Sequence, residues 1–64
     1  MDAKEYSHYF DLATAMRING GSFAHHIGSA FLTADSSNQV RLVWFFADLF
    51  RSYEHWLIKP QDGE

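Results

Sequence analysis

Residues 41–50 read RLVWFFADLF, a strongly apolar decapeptide in a chain of 64 residues without cysteine. A helix that packs on a core along one side needs an apolar stripe little more than about 100° wide. At about 100° per residue, the apolar side chains of residues 40–57 fill an arc of roughly 220°. The third helix, predicted over about 37–57, therefore has more apolar surface than two short helices would cover.

Trp44 lies in the polar remainder of that third helix. Its neighbours at i−3, i+4 and i+7 are Arg41, Asp48 and Arg51. Exposed aromatic residues beside arginine favour interface hot spots, and we expect both arginines to stack on or flank the indole. Single exposed hydrophobic residues are also common on ordinary surfaces, so both interpretations stay open.

Two further aromatic residues lie together at one edge of the apolar arc, Phe45 and Trp56. They either extend the patch around the indole or close the core beneath it. The predicted binding residues are Trp44, Arg41, Phe45, Asp48, Arg51 and Trp56.

Length and composition limit the class of protein. A chain this short buries only about 60% of its unfolded surface, and small domains without disulfides find stability in dense packing or oligomerisation. The sequence is 47% hydrophobic and 17% aromatic, which suits both. Its formal charge of −3 gives no electrostatic reason to bind a phosphate backbone. No apolar run approaches the roughly 20 residues of a membrane span, so a cytoplasmic protein is expected.

The first two helices are marked at their ends. Helix 1, at about 3–18, starts with Asp2 and Glu5 in a capping-box arrangement and ends at residues 19–21, NGG, which tolerate positive φ. Helix 2, at about 22–34, starts with Ser22 as its N-cap and carries Phe23, Ile27, Ala30, Phe31 and Ala34 on one stripe. Gly28 inside it indicates close approach of another backbone, or a weak point.

The third helix follows residues 35–38, DSSN, where Ser36 and Gln39 fit a capping box. It stops before Pro60, and the polar tail from about 60 is expected to fray. The prediction is one compact all-α domain of three helices over residues 1–64.

DNA binding through a helix–turn–helix is one alternative function. Ala24 precedes Gly28 by four residues, as the packing alanine and turn glycine do in that motif. The next helix would then read FLTADSSN, which has no Lys or Arg to contact phosphate or guanine. Helical periodicity also continues through Gly28, so a DNA-binding regulator ranks below a protein-binding module.

Metal and catalytic sites have weak support. His25 and His26 are adjacent, so their side chains point about 100° apart on a helix instead of converging on one ion. Ser22 followed by His25 is better explained by capping than by nucleophilic catalysis. A domain of this size rarely encloses a pocket of about 300 Å³. The prediction is a protein that is not an enzyme and binds neither metal nor cofactor.

The stretch from residue 9 to residue 50 resembles small stand-alone helical proteins of bacteriophages and prophages. It shares with them an aromatic first helix, the start GGSFA of the second, the cap ADSSN and an aromatic third helix. The resemblance implies a small accessory factor or inhibitor that binds a host or defence protein in the host cytoplasm. It assigns no functional residue.

The leading prediction is therefore a small interaction protein that binds a partner through the Trp44 side of its third helix. That partner is a host protein, a second copy of the chain, or both, because a self-complementary apolar patch leads readily to a two-fold dimer. A structural protein that assembles further through the same patch is the other alternative.

Overall fold

The computed structural model describes residues 1–57, and all of their regular structure is helical. The elements are α1 (Ala3–Asn19), α2 (Ser22–Thr33), α3 (Ser36–Phe45), α4 (Ala47–Arg51) and a 3₁₀ turn, η1 (Glu54–Leu57). The all-α prediction is confirmed. The three-helix prediction is wrong in one respect, because the predicted third helix is divided into α3, α4 and η1.

The start of α1 is the predicted capping box. The Asp2 carboxylate accepts a hydrogen bond from the Glu5 backbone N–H at 2.8 Å, and the Glu5 carboxylate accepts one from the Asp2 N–H at 3.2 Å. Two amide groups that the first helical turn leaves without partners are thereby satisfied.

The contact between α1 and α2 forms the centre of the fold, and Gly28 explains how close it is. A Cβ at Gly28 would lie 2.5 Å from the Ala13 carbonyl oxygen and 3.1 Å from the Met16 Cβ. The predicted close approach of a second backbone is confirmed, and α1 is that backbone.

The connection between α1 and α2 also depends on glycine, but not for the predicted reason. Gly20 has φ −83° and ψ 161°, which any residue can adopt, and no glycine of residues 1–57 has positive φ. A Cβ at Gly20 would lie 2.5 Å from the Met16 carbonyl oxygen and 2.9 Å from the Tyr53 hydroxyl. Lack of space, and not backbone conformation, favours glycine at this position.

The core is small and is contributed mainly by α1 and α2. Its buried residues are Leu12, Ala13, Met16, Ala24, Phe31 and Phe50. The predicted stripe of helix 2 is confirmed at Phe31, which is buried, and is wrong at Phe23, which is exposed. Ala24 and Gly28, outside that stripe, are buried. The face towards α1 is therefore rotated by about one residue from the predicted stripe.

The chain bends at Phe46, between α3 and α4. Phe46 has φ −113° and ψ 32°, outside the helical region, although its N–H still bonds to the Leu42 carbonyl oxygen at 2.9 Å. No proline or glycine marks this bend in the sequence. Below the bend Phe50 is completely buried, with its ring 5.7 Å from the rings of both Tyr9 and Phe31. Burial of that phenyl ring offsets the cost of leaving helical geometry.

Two predicted caps are replaced by other residues. Ser22 is the first residue of α2, after Gly21 as N-cap, and no side chain caps that end. Asp35, and not Ser36, caps α3 by accepting a hydrogen bond from the Asn38 N–H at 2.9 Å. The buried Gln39 side chain instead donates at 2.9 Å to the Phe31 carbonyl oxygen in the last turn of α2, and this oxygen also accepts a longer bond of 3.4 Å from the Ala34 N–H.

The predicted polar tail from about residue 60, and the predicted end of the third helix before Pro60, lie outside the described residues. Within residues 1–57, none of the helices combines the length and the apolar character that crossing a membrane requires.

Candidate interaction surface

An open apolar groove runs between the C-terminal half of α2 and the outer side of α3. Its volume is about 710 Å³. We call it the α3 groove, and it is lined by Ala30, Ala34, Asn38, Val40, Arg41, Leu42, Trp44, Phe45 and Phe46. The volume exceeds the roughly 300 Å³ that small ligands need, but the site is an open groove and not the enclosed pocket that a domain of this size rarely has.

The groove exists because α3 contacts α2 along only one side. Leu42, Val43 and Phe46 turn towards the core and are partly buried against it. The next positions around the helix, Trp44 and Phe45, turn away from the core. Their exposed fractions are 83% and 82%.

The predicted exposure of Trp44 is therefore confirmed. The choice left open for Phe45 also has an answer: this ring extends the exposed patch and does not close the core beneath it. Two adjacent aromatic side chains exposed to this degree form an apolar projection beside an apolar groove. Whether they bind a partner stays a prediction.

The charged residues around the aromatic pair make contacts within their own helices. The Arg41 guanidinium donates to the Asn38 side-chain oxygen at 3.4 Å. The Arg51 guanidinium pairs with the Asp48 carboxylate at 3.0 Å, and both side chains are well exposed. That both arginines stack on or flank the indole of Trp44 stays a prediction, since these contacts are to Asn38 and Asp48.

Trp56 belongs to a different part of the surface. It lies in η1, which packs against α1, and it does not line the α3 groove. Its ring is 5.0 Å from that of His55, and it is 50% exposed. One straight helix over residues 37–57 would place Trp56 on the same side as Phe45, about three turns further along. The chain instead bends at Phe46 and leaves the α-helix after Arg51.

The histidines have local partners in the fold. His25 Nδ1 lies 2.9 Å from the Arg17 carbonyl oxygen, in the last turn of α1. His8 Nε2 lies 3.3 Å from the Glu54 carboxylate, which links α1 to η1. Among residues 1–57, no three His, Asp or Glu side chains are grouped closely enough to hold a metal ion.

The chemistry of the groove suits binding better than catalysis. Asn38 and Arg41 are its two polar lining residues, and the others are aliphatic or aromatic. Catalysis by acid–base or nucleophilic chemistry needs a titratable or nucleophilic side chain placed against the substrate. Neither the amide of Asn38 nor an exposed guanidinium serves as either group at neutral pH.

The α2 wall of the groove is not among the predicted binding residues. Ala30 and Ala34 belong to the stripe of helix 2 that the sequence predicts to be buried, yet both are partly exposed and face the groove. Ala30 lies in the last turn of α2 and Ala34 is its C-cap, and their small side chains leave the groove open. The sequence signal that could have identified this wall is the pair of alanines at i and i+4, followed by an aromatic helix.

The helix–turn–helix interpretation requires a turn near Gly28. In the structure α2 is continuous from Ser22 to Thr33, and Gly28 lies within it against α1.

Comparison of the chain with protein-family models, with curated proteins and with solved structures finds no match.

Proposed function

We propose that this chain is a protein-interaction module that binds its partner through the α3 groove and the exposed pair Trp44 and Phe45. The observation that supports this proposal is the pair itself, each ring more than four-fifths exposed at the edge of an apolar groove. Folding of residues 1–57 alone leaves this apolar surface in water, and covering it is favourable by roughly 25 cal/mol per Å².

The surroundings of the aromatic pair resemble the composition of binding sites. Hot spots are enriched in Trp, Tyr and Arg, and they lie in patches that a rim of polar residues surrounds. Here Arg41 lines the same groove as the indole, and the exposed Asp48 and Arg51 continue the polar surroundings along α4. The resemblance to small phage proteins adds that a host protein is a candidate partner.

Site-specific photo-crosslinking tests the proposal. A photoreactive residue replaces Trp44 or Phe45 in the chain produced in its native cells, and Ile18 serves as the control position. Ile18 is 72% exposed on α1 and does not line the α3 groove. We expect discrete protein adducts from positions 44 and 45 and none of the same mass from position 18.

The captured protein is then titrated against purified variants. Trp44→Ala should weaken its binding by about 2 kcal/mol or more, as hot-spot truncations do, whereas Ile18→Ala should leave it unchanged. Circular dichroism checks that both variants keep their helical content. The absence of adducts at 44 and 45, or equal affinity of the two alanine variants, would contradict the proposed function.

A further inference from the structure

One face of the bent α3–α4 segment has an internal symmetry. Arg41, Trp44, Phe45 and Asp48 stand at i, i+3, i+4 and i+7, which places them on one side of a helix. All four are exposed. Phe46, whose φ and ψ are not helical, lies between Phe45 and Asp48, and the hydrogen bonds from Phe46 N–H to Leu42 and from Phe50 N–H to Phe46 lie on either side of this bend.

The charges on this face are opposite at its two ends. Arg41 and Asp48 lie at equal sequence distances on either side of the Trp44–Phe45 pair. When a second identical helix lies antiparallel across the first, with a two-fold axis through that pair, each Arg41 meets Asp48 of the other copy. The same operation brings each Trp44 to the other copy's Phe45.

We propose that the partner in the α3 groove is a second copy of this chain, held in an antiparallel two-fold dimer by reciprocal Arg41–Asp48 ion pairs around four aromatic rings. The proposal rests on the proposed function, since it names the occupant of the same surface. The Asp48–Arg51 pair within each chain is exposed, so Asp48 can pair with a second arginine.

The surface carries both a projection and a depression, as a self-complementary interface requires. Trp44 and Phe45 project from α3, and the wall formed by Ala30 and Ala34 leaves the groove open beside them. A two-fold operation presents the projection of one copy to the groove of the other, twice. The groove of about 710 Å³ is within the range of sites that hold aromatic groups.

The four exposed rings supply a substantial part of the area that a dimer interface needs. Each aromatic side chain removes roughly 150–250 Å² from water when buried, and these rings are about four-fifths exposed. Four rings therefore contribute roughly 500–800 Å² of the about 1,200–2,000 Å² typical of stable interfaces. Val40, the stem of Arg41 and the alanine wall supply further contact around them.

Sedimentation equilibrium over a concentration series of about 1–500 μM is the first test. The wild-type mass should rise from the 7.4 kDa of one chain towards twice that value, and no further. Trp44→Ala should raise the dissociation constant by about thirtyfold or more, the factor that a hot spot implies. Ile18→Ala should match the wild type. A wild-type chain that stays monomeric throughout the series would overturn the dimer.

Charge reversal tests the antiparallel arrangement itself. Arg41→Glu and Asp48→Arg should each weaken self-association, because each places like charges together twice. An equimolar mixture of the two variants should recover it, since a heterodimer of Arg41→Glu and Asp48→Arg restores two opposite-charge pairs. Arg17→Glu, an exposed reversal on α1, should leave the dissociation constant unchanged.

A mixture that dissociates as readily as the single variants would overturn the antiparallel pairing. The crosslinking experiment separates this proposal from the proposed function. Adducts from position 44 that contain only other proteins, together with a monomeric wild type, overturn the dimer and leave the interaction function intact. The absence of adducts from both position 44 and position 45, together with a monomeric wild type, overturns both.

Discussion

Small residues lie on two sides of α2, and only one of these sides is packed against another helix. Ala24 and Gly28 face α1, and the two backbones approach until no side-chain atom fits at Gly28. Ala30 and Ala34 face the α3 groove, where no described residue fills the space above them. Small side chains create room in both places, and only the first is filled within the described chain. The difference separates residues that hold the fold from residues available to a partner.

The largest effect on the free energy of unfolding should come from the packed core, at Phe50. Phe50→Ala removes a completely buried ring that contacts Tyr9 and Phe31 and anchors the segment beyond the bend. We expect a loss of about 3–5 kcal/mol, which few domains of this size survive. Urea unfolding followed by far-UV circular dichroism measures it. Stability within about 1 kcal/mol of wild type would contradict the assignment of Phe50 to the core.

The next effect tests the close approach of α1 and α2. Gly→Ala within a helix normally adds about 1 kcal/mol of stability, but a Cβ at Gly28 would lie 2.5 Å from the Ala13 carbonyl oxygen. Gly28→Ala should therefore destabilise, by about 1–3 kcal/mol, as overpacking does. A loss of stability, where Gly→Ala in a helix normally gives a gain, would show that the two backbones are in close contact.

Gly21 provides the matched control for this substitution. A Cβ at Gly21 meets no atom within 4 Å, and the residue occupies the N-cap of α2 without a side-chain cap. Gly21→Ser should be neutral or stabilising by a few tenths of a kcal/mol. Equal effects of Gly28→Ala and Gly21→Ser in the same urea titration would contradict the packing described for α1 and α2.

A smaller effect is expected at the junction of α2 and α3, where the fold meets the groove. Gln39→Ala removes a buried hydrogen bond to the Phe31 carbonyl oxygen and should cost about 1–2 kcal/mol. Asn38→Ala, an exposed neighbour with one long contact to Arg41, should change stability by less than about 0.5 kcal/mol. Similar losses in thermal unfolding for both variants would show that Gln39 does not tie α3 to α2.

Sequence periodicity identifies the helical class, the bounds of the first two helices to within one residue, and the capping box at Asp2. It fails at Phe46, because the bend depends on the burial of Phe50 against Tyr9 and Phe31, residues distant in sequence. The same bend explains why the predicted position of Trp56 is wrong, while Trp44 and Phe45, which precede it, lie on an exposed face. Asp35 and not Ser36 caps α3, and the Gln39 side chain that the predicted capping box would use reaches back to α2.

The smallest expected effect is on the stability of the monomer, at Trp44 beside the open α3 groove. Trp44→Ala removes the more exposed of the two tryptophan side chains, which at 83% exposure contributes little to the folded monomer. In samples dilute enough to be monomeric, its unfolding free energy should match that of wild type within about 0.5 kcal/mol, as should Ile18→Ala. In concentrated samples the wild type should gain stability that Trp44→Ala lacks, since association stabilises only the folded state. A loss of about 2 kcal/mol in the dilute samples would instead assign the indole to the fold, and the distinction between the two faces of α2 would no longer hold. A difference in unfolding free energy that appears only in concentrated samples makes the indole an interaction residue, because the substitution then leaves the monomer intact and removes its association.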